Sequence, residues 1–350
     1  MSESRQEQLG LWAKQILKQR LPQNKGEVAI TLVSGDASFR RYFRVRSEEA
    51  RFIAVDSPPE QENSRIFVRI CNLLREAGVT VPKVFSVDYD QGFMLLDDFG
   101  DEIYLNRLVY LQKAGNQSEI NMLYKVAIDS LIDIQAGVYK EKLDPYDKSE
   151  LHREMSLFEN WFCSQFLQLK LKENEKALIA ETLEFLEEAA LSQPKVAVHR
   201  DYHSRNLMIL GTKEFGENST PGIIDFQDAV SGPYTYDLVS LLRDAYIRWD
   251  QEQVDGWALY YLRQAKSSGL VKNIEEIQFL RDFDLMGLQR QLKVIGIFAR
   301  LCIRDNKPRY LADIPLVIQY FLEVGQRYKE LKSFVDWFKH VVEPTARTKL

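Results

Sequence analysis

The sequence predicts an α+β fold in two lobes, a small antiparallel β-sheet lobe over residues 1–98 and a larger, mainly helical lobe over residues 99–350. Three observations point there. Short strand-like runs separated by polar turns fill the first third, and apolar residues at 3.6-residue spacing dominate from about Leu105 onward. One β-rich island, Val196 to Asp225, interrupts the helices. At 350 residues the chain is also longer than the roughly 150 residues of an ordinary domain, so two compact parts are expected.

An amphipathic helix opens the chain around Leu9 to Leu21. Glu27 to Val33 then alternates polar and apolar residues as a half-buried strand does, and the polar turn Ser34-Gly35-Asp36-Ala37-Ser38 follows. Arg41 to Val45 and Arg51 to Asp56 read as two further strands about the charged turn Ser47-Glu48-Glu49. Pro58 and Pro59 end that run; Ile66, Phe67, Ile70, Leu73 and Leu74 then recur at helical spacing until Gly78 stops the helix. Val81 to Val87 and Phe93 to Leu96 add two strands before Asp97-Asp98-Phe99-Gly100, where the second lobe begins. Helices are expected at Ile120 to Val138, Glu150 to Gln168, Glu173 to Ala190, Tyr236 to Trp249, Ile274 to Ile303 and Leu316 to Lys339. Inside the island, Val196-Ala197-Val198, Leu207 to Leu210 and Ile223-Ile224 are the apolar runs.

Composition narrows the function. With 45% apolar and 28% charged residues the chain resembles ordinary globular proteins. Its 46 Lys and Arg against 51 Asp and Glu leave a net charge of -5, which provides no basic field for nucleic acid. No run approaches the 18 or so uncharged apolar residues of a membrane span, and the polar first 25 residues lack the apolar core of a secretion signal. Cys71, Cys163 and Cys302 are odd in number and scattered, which suits buried thiols in a reducing cytoplasm better than disulfides or zinc. A cytoplasmic monomer is expected.

The island carries the string His199-Arg200-Asp201-Tyr202-His203-Ser204-Arg205-Asn206. An Asp followed five positions later by Asn, directly after an apolar strand, is the catalytic-loop arrangement of kinase-like phosphotransferases. Such a loop aims a carboxylate at an acceptor hydroxyl while the Asn amide oxygen reaches a magnesium ion on the ATP phosphates. Nineteen residues later Ile223-Ile224 delivers Asp225 in Asp225-Phe226-Gln227, the position of a second magnesium ligand.

These strings, with Gly232-Pro233-Tyr234-Thr235-Tyr236-Asp237-Leu238, resemble the aminoglycoside phosphotransferase superfamily, which shares its two-lobed fold with choline kinases and protein kinases. Val33 to Tyr42, Asp56-Ser57-Pro58-Pro59-Glu60, Leu95 to Gly100 and Met286 to Arg300 resemble one branch of it, the N-acetylmuramate/N-acetylglucosamine anomeric kinases of cell-wall recycling. The resemblance covers nearly the whole chain. It implies ATP and Mg²⁺ as cofactors, Asp201 as base, and Asn206 and Asp225 as magnesium ligands. It also implies nucleotide contacts at Ser34, Gly35, Asp36, Ala37, Ser38 and Phe39, in place of a phosphate-covering loop, and at Leu96 and Asp97 where the lobes join.

The strand Arg51 to Asp56 lacks the phosphate-pairing lysine of protein kinases. Either another cation replaces it, with Arg41 on the preceding strand a candidate, or magnesium suffices. Acceptor candidates lie near Asp201 in sequence: His203, Arg205, Gln227 and Asp228. His203 either hydrogen-bonds a sugar hydroxyl or packs within its loop. Asp237 is expected to brace the catalytic loop. Gln289, Lys293 and Arg300 form one stripe of the late helix with Arg290 beside it, and a basic stripe is ordinarily a solvated face. Muramate carries a lactyl carboxylate that an Arg fork binds bidentately, which makes Arg243, Arg290 and Arg300 three candidates for that contact. The alternatives are an aminoglycoside- or choline-type kinase, whose cationic acceptors would call for a carboxylate-rich pocket, and a non-catalytic pseudokinase.

Overall fold

The computed structural model describes residues 4–20, 28–34, 39–47, 50–211 and 220–350. The chain divides into two compact units, Met1–Ile103 with Leu207–Gln227, and Tyr104–Asn206 with Asp228–Leu350. This differs from the boundary expected at residues 98 and 99, because a segment of the β-rich island joins the first unit. Within it β8 (Leu207–Met208) pairs with β9 (Gly222–Ile223), the Ile223 N–H bonds the Thr80 carbonyl at 2.8 Å, and the Ile209 N–H bonds the Glu102 carbonyl at 2.7 Å. Pairings over such sequence distances leave no local signature.

In the first unit, helix α1 (Arg5–Arg20) accompanies strands β1 (Ala29–Ser34), β2 (Arg41–Arg46), β3 (Arg51–Asp56), β4 (Val84–Asp88) and β5 (Phe93–Asp97). The sheet order is β1-β2-β3-β5-β4 with every pair antiparallel. Leu9, Ala13 and Leu17, four residues apart, present one apolar stripe that packs with Phe43, Val45, Ala54, Phe93 and Leu95. Strand alternation assigns Tyr42 and Arg44 to the opposite face of β2. β4 begins at Val84 rather than Val81, since Pro82 offers no N–H to a ladder. Helix α2 (Ser64–Glu76) is capped by Asn63, whose side chain accepts the Arg65 and Ile66 N–H groups at 3.0 and 3.3 Å. It ends before Gly78, whose φ of +80° is the left-handed conformation glycine adopts freely.

The second unit holds α3 (Tyr104–Ala114), α4 (Gln117–Gly137), α5 (Lys148–Leu157), α6 (Glu173–Leu191), α7 (Tyr236–Leu242), α8 (Gln251–Ser267), α9 (Glu276–Ile303) and α10 (Ile314–Gly325). Two short helices, α11 (Lys332–Trp337) and α12 (Glu343–Lys349), follow. The strands β6 (Asp144–Pro145), β7 (Lys195–Val198) and β10 (Val230–Pro233) form a small sheet in the order β6-β10-β7. α9 is the axis of the unit: every residue from Asp282 to Gly296 is buried. A Cβ on Gly296 would lie 2.4 Å from the Leu157 carbonyl carbon, so only glycine lets α9 cross the end of α5 this closely. Gln289, Arg290 and Lys293 are therefore interior, and the solvated face expected of that stripe does not exist.

Other elements depart from expectation for local reasons. The helix from Tyr236 stops at Leu242 instead of Trp249, because Asp244 turns its carboxylate to the Ser204 and Tyr246 N–H groups at 2.9 and 3.1 Å. The span Leu316 to Lys339 breaks after Gly325, where the Tyr328 N–H bonds the Gly325 carbonyl, and resumes at Lys332. α5 gives way at Phe158 to wider π turns through Phe166, and Gln168 takes a φ of 57°. α3 and α8 went unpredicted, although α8 opens with a capping box of Asp250 and Gln253. Cys71 and Cys163 are buried thiols as expected, whereas Cys302 is only partly covered. Among the described residues no helix is long and apolar enough to cross a membrane.

Candidate active site

The catalytic-loop string leaves β7 and enters a loop that the second unit pins from several sides. Arg200 sits at a φ of 77°, a left-handed conformation that costs a non-glycine residue on the order of 1–3 kcal/mol. Asp237 at the start of α7 offsets that strain: its two carboxylate oxygens accept the His199 and Arg200 N–H groups at 2.6 and 2.9 Å. It thus braces the loop as the sequence suggests. Asp244 accepts both the N–H and the hydroxyl of Ser204, and the Tyr202 hydroxyl donates to the Ala127 carbonyl at 2.8 Å. The Asn206 amide nitrogen donates to the Asp201 carbonyl at 2.9 Å, which fixes the orientation of that amide.

Behind the loop lies a buried charge cluster that sequence reasoning missed. Glu154 on α5 meets Arg200, the Tyr146 hydroxyl and, at 3.0 Å, Lys293 on α9. Lys293 also donates to the Tyr236 hydroxyl at 2.7 Å. Burial opposes the charge on Asp201, but Lys293, then His203, Arg290 and His199, overcome it and hold its carboxyl below the usual range. Asp237 moves the other way: burial, with Asp201 adding to it, pushes its carboxyl up to about 7 against the two N–H donors and Arg290. The signal that could have revealed Lys293 was charge within a helix whose other faces are apolar, since lysine is almost never fully buried unless paired.

In the first unit Asp225 follows the β9 residues Gly222–Ile223 and has a φ of 64°. It is exposed, and Gln227 donates to it at 3.0 Å. Next to it Phe226 is 1% exposed, with its ring 4.9 Å from that of Phe67 on α2. Phe67 also carries the Arg40 guanidinium 5.7 Å above its ring, and Arg40 pairs with Glu62 at 2.9 Å. The half-buried Tyr42 links these groups: burial raises its phenol, with Asp225 the next cause and Arg40 opposing.

Arg41, the candidate for the missing lysine, points elsewhere. It pairs with the fully buried Asp56 at 2.5 Å, a carboxylate shared with Arg5. Arg40, one residue earlier and 5% exposed, acts on Tyr42 against Asp225. Period-2 alternation was the available signal, since Arg40 is in phase with Tyr42 and Arg44 while Arg41 is in phase with Phe43.

The remaining candidates scatter. Gly35, Asp36, Ala37 and Ser38 lie outside the described residues, while Ser34 ends β1 and Phe39 is exposed. The Leu96 side chain is buried in the sheet, and the Asp97 carboxylate accepts the Lys83 N–H at 2.8 Å. His203 stacks edge-on against Tyr246, and the exposed Arg205 covers the same ring at 3.7 Å. Asp228 is exposed. Arg243 is committed to Asp284 and to the Phe283 ring. Arg300 is half-buried, and burial, together with Arg304, lowers its pKa.

The donors suit magnesium. Asp225 in the first unit and Asn206 in the second each carry a hard oxygen of the kind that cation takes.

A profile of the phosphotransferase enzyme family matches residues 29–276. An N-acetylmuramate/N-acetylglucosamine kinase of Pseudomonas putida is 43% identical over 331 residues, covering 93% of this chain and 94% of the relative. Enzymes of the same name from Pseudomonas aeruginosa and Neisseria meningitidis are 39% and 37% identical over 94% and 93% of this chain, and over 94% and 93% of their own lengths. Among solved structures, an ethanolamine kinase of Plasmodium vivax superposes with a TM-score of 0.63 at 11% identity, over 89% of this chain and 88% of that one. An ADP-bound aminoglycoside phosphotransferase does so with a TM-score of 0.57 at 15% identity, over 89% and 98% of the two chains.

Proposed function

The chain belongs to the phosphotransferase enzyme family, and on that premise we propose that it is an ATP- and Mg²⁺-dependent amino-sugar 1-kinase. It would phosphorylate the anomeric hydroxyl of N-acetylmuramate, N-acetylglucosamine or both, in cell-wall recycling. The relatives' shared name supports the substrate class. The observation that carries the chemistry is Asp201, kept ionised by buried cations in a strained loop that Asp237, Asp244 and the Ala127 carbonyl pin.

In this reading the acceptor O–H donates to the Asp201 carboxylate. Its oxygen bonds the γ-phosphorus as the bond to the ADP oxygen breaks, and the proton passes to Asp201. A carboxylate held below its usual range is a weak base, so Asp201 orients the hydroxyl and takes the proton late, which suits a loose phosphoryl-transfer transition state. The anomeric hydroxyl is the most acidic on the sugar and asks least of such a base. Asn206 and Asp225 are the oxygen donors this reading assigns to magnesium, which when bound supplies positive charge to the phosphates. Arg40, steadied by Glu62, takes the role of the missing strand lysine. A cationic acceptor of the aminoglycoside or choline kind fits less well, since Lys293 and Arg290 already set a positive field at Asp201.

An ATP-consumption panel with N-acetylmuramate, N-acetylglucosamine, choline and kanamycin tests the reading. Turnover with an amino sugar and an acid-labile phosphate at its anomeric carbon is expected. Phosphate on the primary hydroxyl, or turnover with choline or kanamycin alone, would overturn it.

A further inference from the structure

Four arginines are buried among the described residues: Arg40, Arg44, Arg243 and Arg290. Three of them are neutralised within the protein, Arg40 by Glu62, Arg44 by Asp98 and Asp101, and Arg243 by Asp284. Arg290 differs. It is 6% exposed, yet among the described residues its guanidinium makes neither a hydrogen bond nor an ion pair. None of its nitrogens is among the polar atoms sealed from solvent without a partner, so each retains a small accessible surface. It feels the Asp201 and Asp237 carboxylates only across space, and a desolvated cation without a direct partner is destabilising unless something supplies one.

Its place on α9 indicates the source. Arg290 precedes Lys293 by three residues and so shares its helix face, and Lys293 reaches the Tyr236 hydroxyl beside the Asp237 that pins the catalytic loop. Arg290 acts electrostatically on both Asp201 and Asp237. The acceptor must bring its hydroxyl within hydrogen-bond reach of Asp201. An anionic acceptor brought that close is repelled by the Asp201 carboxylate and needs a nearby cation that is not already spent. N-acetylmuramate carries such an anion, its lactyl carboxylate, and N-acetylglucosamine does not.

We propose that Arg290, and neither Arg243 nor Arg300, is the residue that recognises the acceptor's carboxylate and sets the preference for N-acetylmuramate over N-acetylglucosamine. This rests on the sugar-kinase reading above and adds a residue to it. A planar guanidinium fork offers two parallel donors to a carboxylate, while a neutral sugar leaves it as unpaired as it is now.

The test is kcat/KM for both sugars, and KM for ATP, in the wild type, Arg290→Met and Arg290→Lys. Loss of Arg290 also alters the surroundings of Asp201, but that acts on both sugars and cancels in their ratio. In Arg290→Met the ratio of N-acetylmuramate to N-acetylglucosamine activity should fall about 10- to 100-fold, the range for a lost charge-assisted contact. Arg290→Lys, which keeps the charge and loses the fork, should fall between; it decides alone if the methionine variant does not fold. An unchanged ratio with both activities reduced, or a raised KM for ATP with an unchanged ratio, overturns the assignment and leaves the sugar-kinase reading intact. A wild type that accepts only N-acetylglucosamine also overturns it. A wild type that turns over neither sugar refutes the function and the assignment together.

Discussion

Replacing Lys293 with Met tests the charge cluster behind Asp201 most directly. The Lys293 ammonium is buried, bonded to the Tyr236 hydroxyl at 2.7 Å and paired with Glu154 at 3.0 Å. Removing one partner of a buried pair costs about 3–5 kcal/mol, and the low end applies because Arg200 still faces Glu154. At about 2 °C per kcal/mol for a chain of this size, Tm should drop by about 6 °C. The pH dependence should move as well. With Lys293 present the Asp201 carboxyl titrates below the usual range, so the base remains ionised from neutral pH down to mild acid. Lys293 is the largest of the charges that lower it, so its removal raises that pKa, and the acidic limb of kcat/KM shifts toward neutral. The same sign governs stability: a depressed carboxyl contributes stability above its unfolded pKa and loses it as pH falls through the folded one, and Lys293→Met shrinks that contribution. Thermal unfolding and kcat/KM from pH 4.5 to 9 measure both effects. A variant with wild-type Tm and an unmoved acidic limb would refute the coupling.

Three further outcomes follow from the same geometry. Asp201→Asn should lower kcat by about 10²- to 10⁴-fold while nucleotide still binds, as measured by steady-state kinetics and ADP titration; near-normal turnover would remove Asp201 from its role. Arg40→Met should cut kcat/KM for ATP at least tenfold, whereas Arg41→Met, which loses contacts with Asp56 and the Phe43 ring, should stay within about threefold; the reverse order would restore Arg41 as the lysine substitute. Chelation with excess EDTA should abolish turnover and added Mg²⁺ restore it, and full activity in EDTA would sink the roles given to Asn206 and Asp225.

The strands β2, β3 and β5 and helices α2, α4, α6 and α9 were legible because each carries its period in the sequence: alternation in the strands, 3.6-residue spacing in the helices. Asp201, Asn206 and Asp225 could be proposed from the chain alone because kinase-like chemistry fixes their spacing. Arg40 and Arg41 are indistinguishable by type, and only the side each takes where the chain enters β2 separates them: Arg41 shares Asp56 with Arg5, and Arg40 meets Glu62 and the Phe67 ring. The stripe of Gln289, Arg290 and Lys293 reads as solvated because a surface helix and a central one can share a charge pattern, and what covers α9 comes from α5, α6 and α10.

By itself, then, the sequence determined the two-part α+β composition, the order of the main elements and the identity of the candidate base and metal ligands, since all of these rest on near-neighbour spacing. The tertiary structure alone decided which charges are buried and what each one faces. It placed Lys293 and Glu154 behind the catalytic loop, gave Asp237 its two N–H donors, and left Arg290, among the described residues, without a hydrogen bond or ion pair. Burial and pairing are set by contacts between residues tens to hundreds of positions apart, such as Glu154 with Lys293, and no local pattern in a chain encodes them.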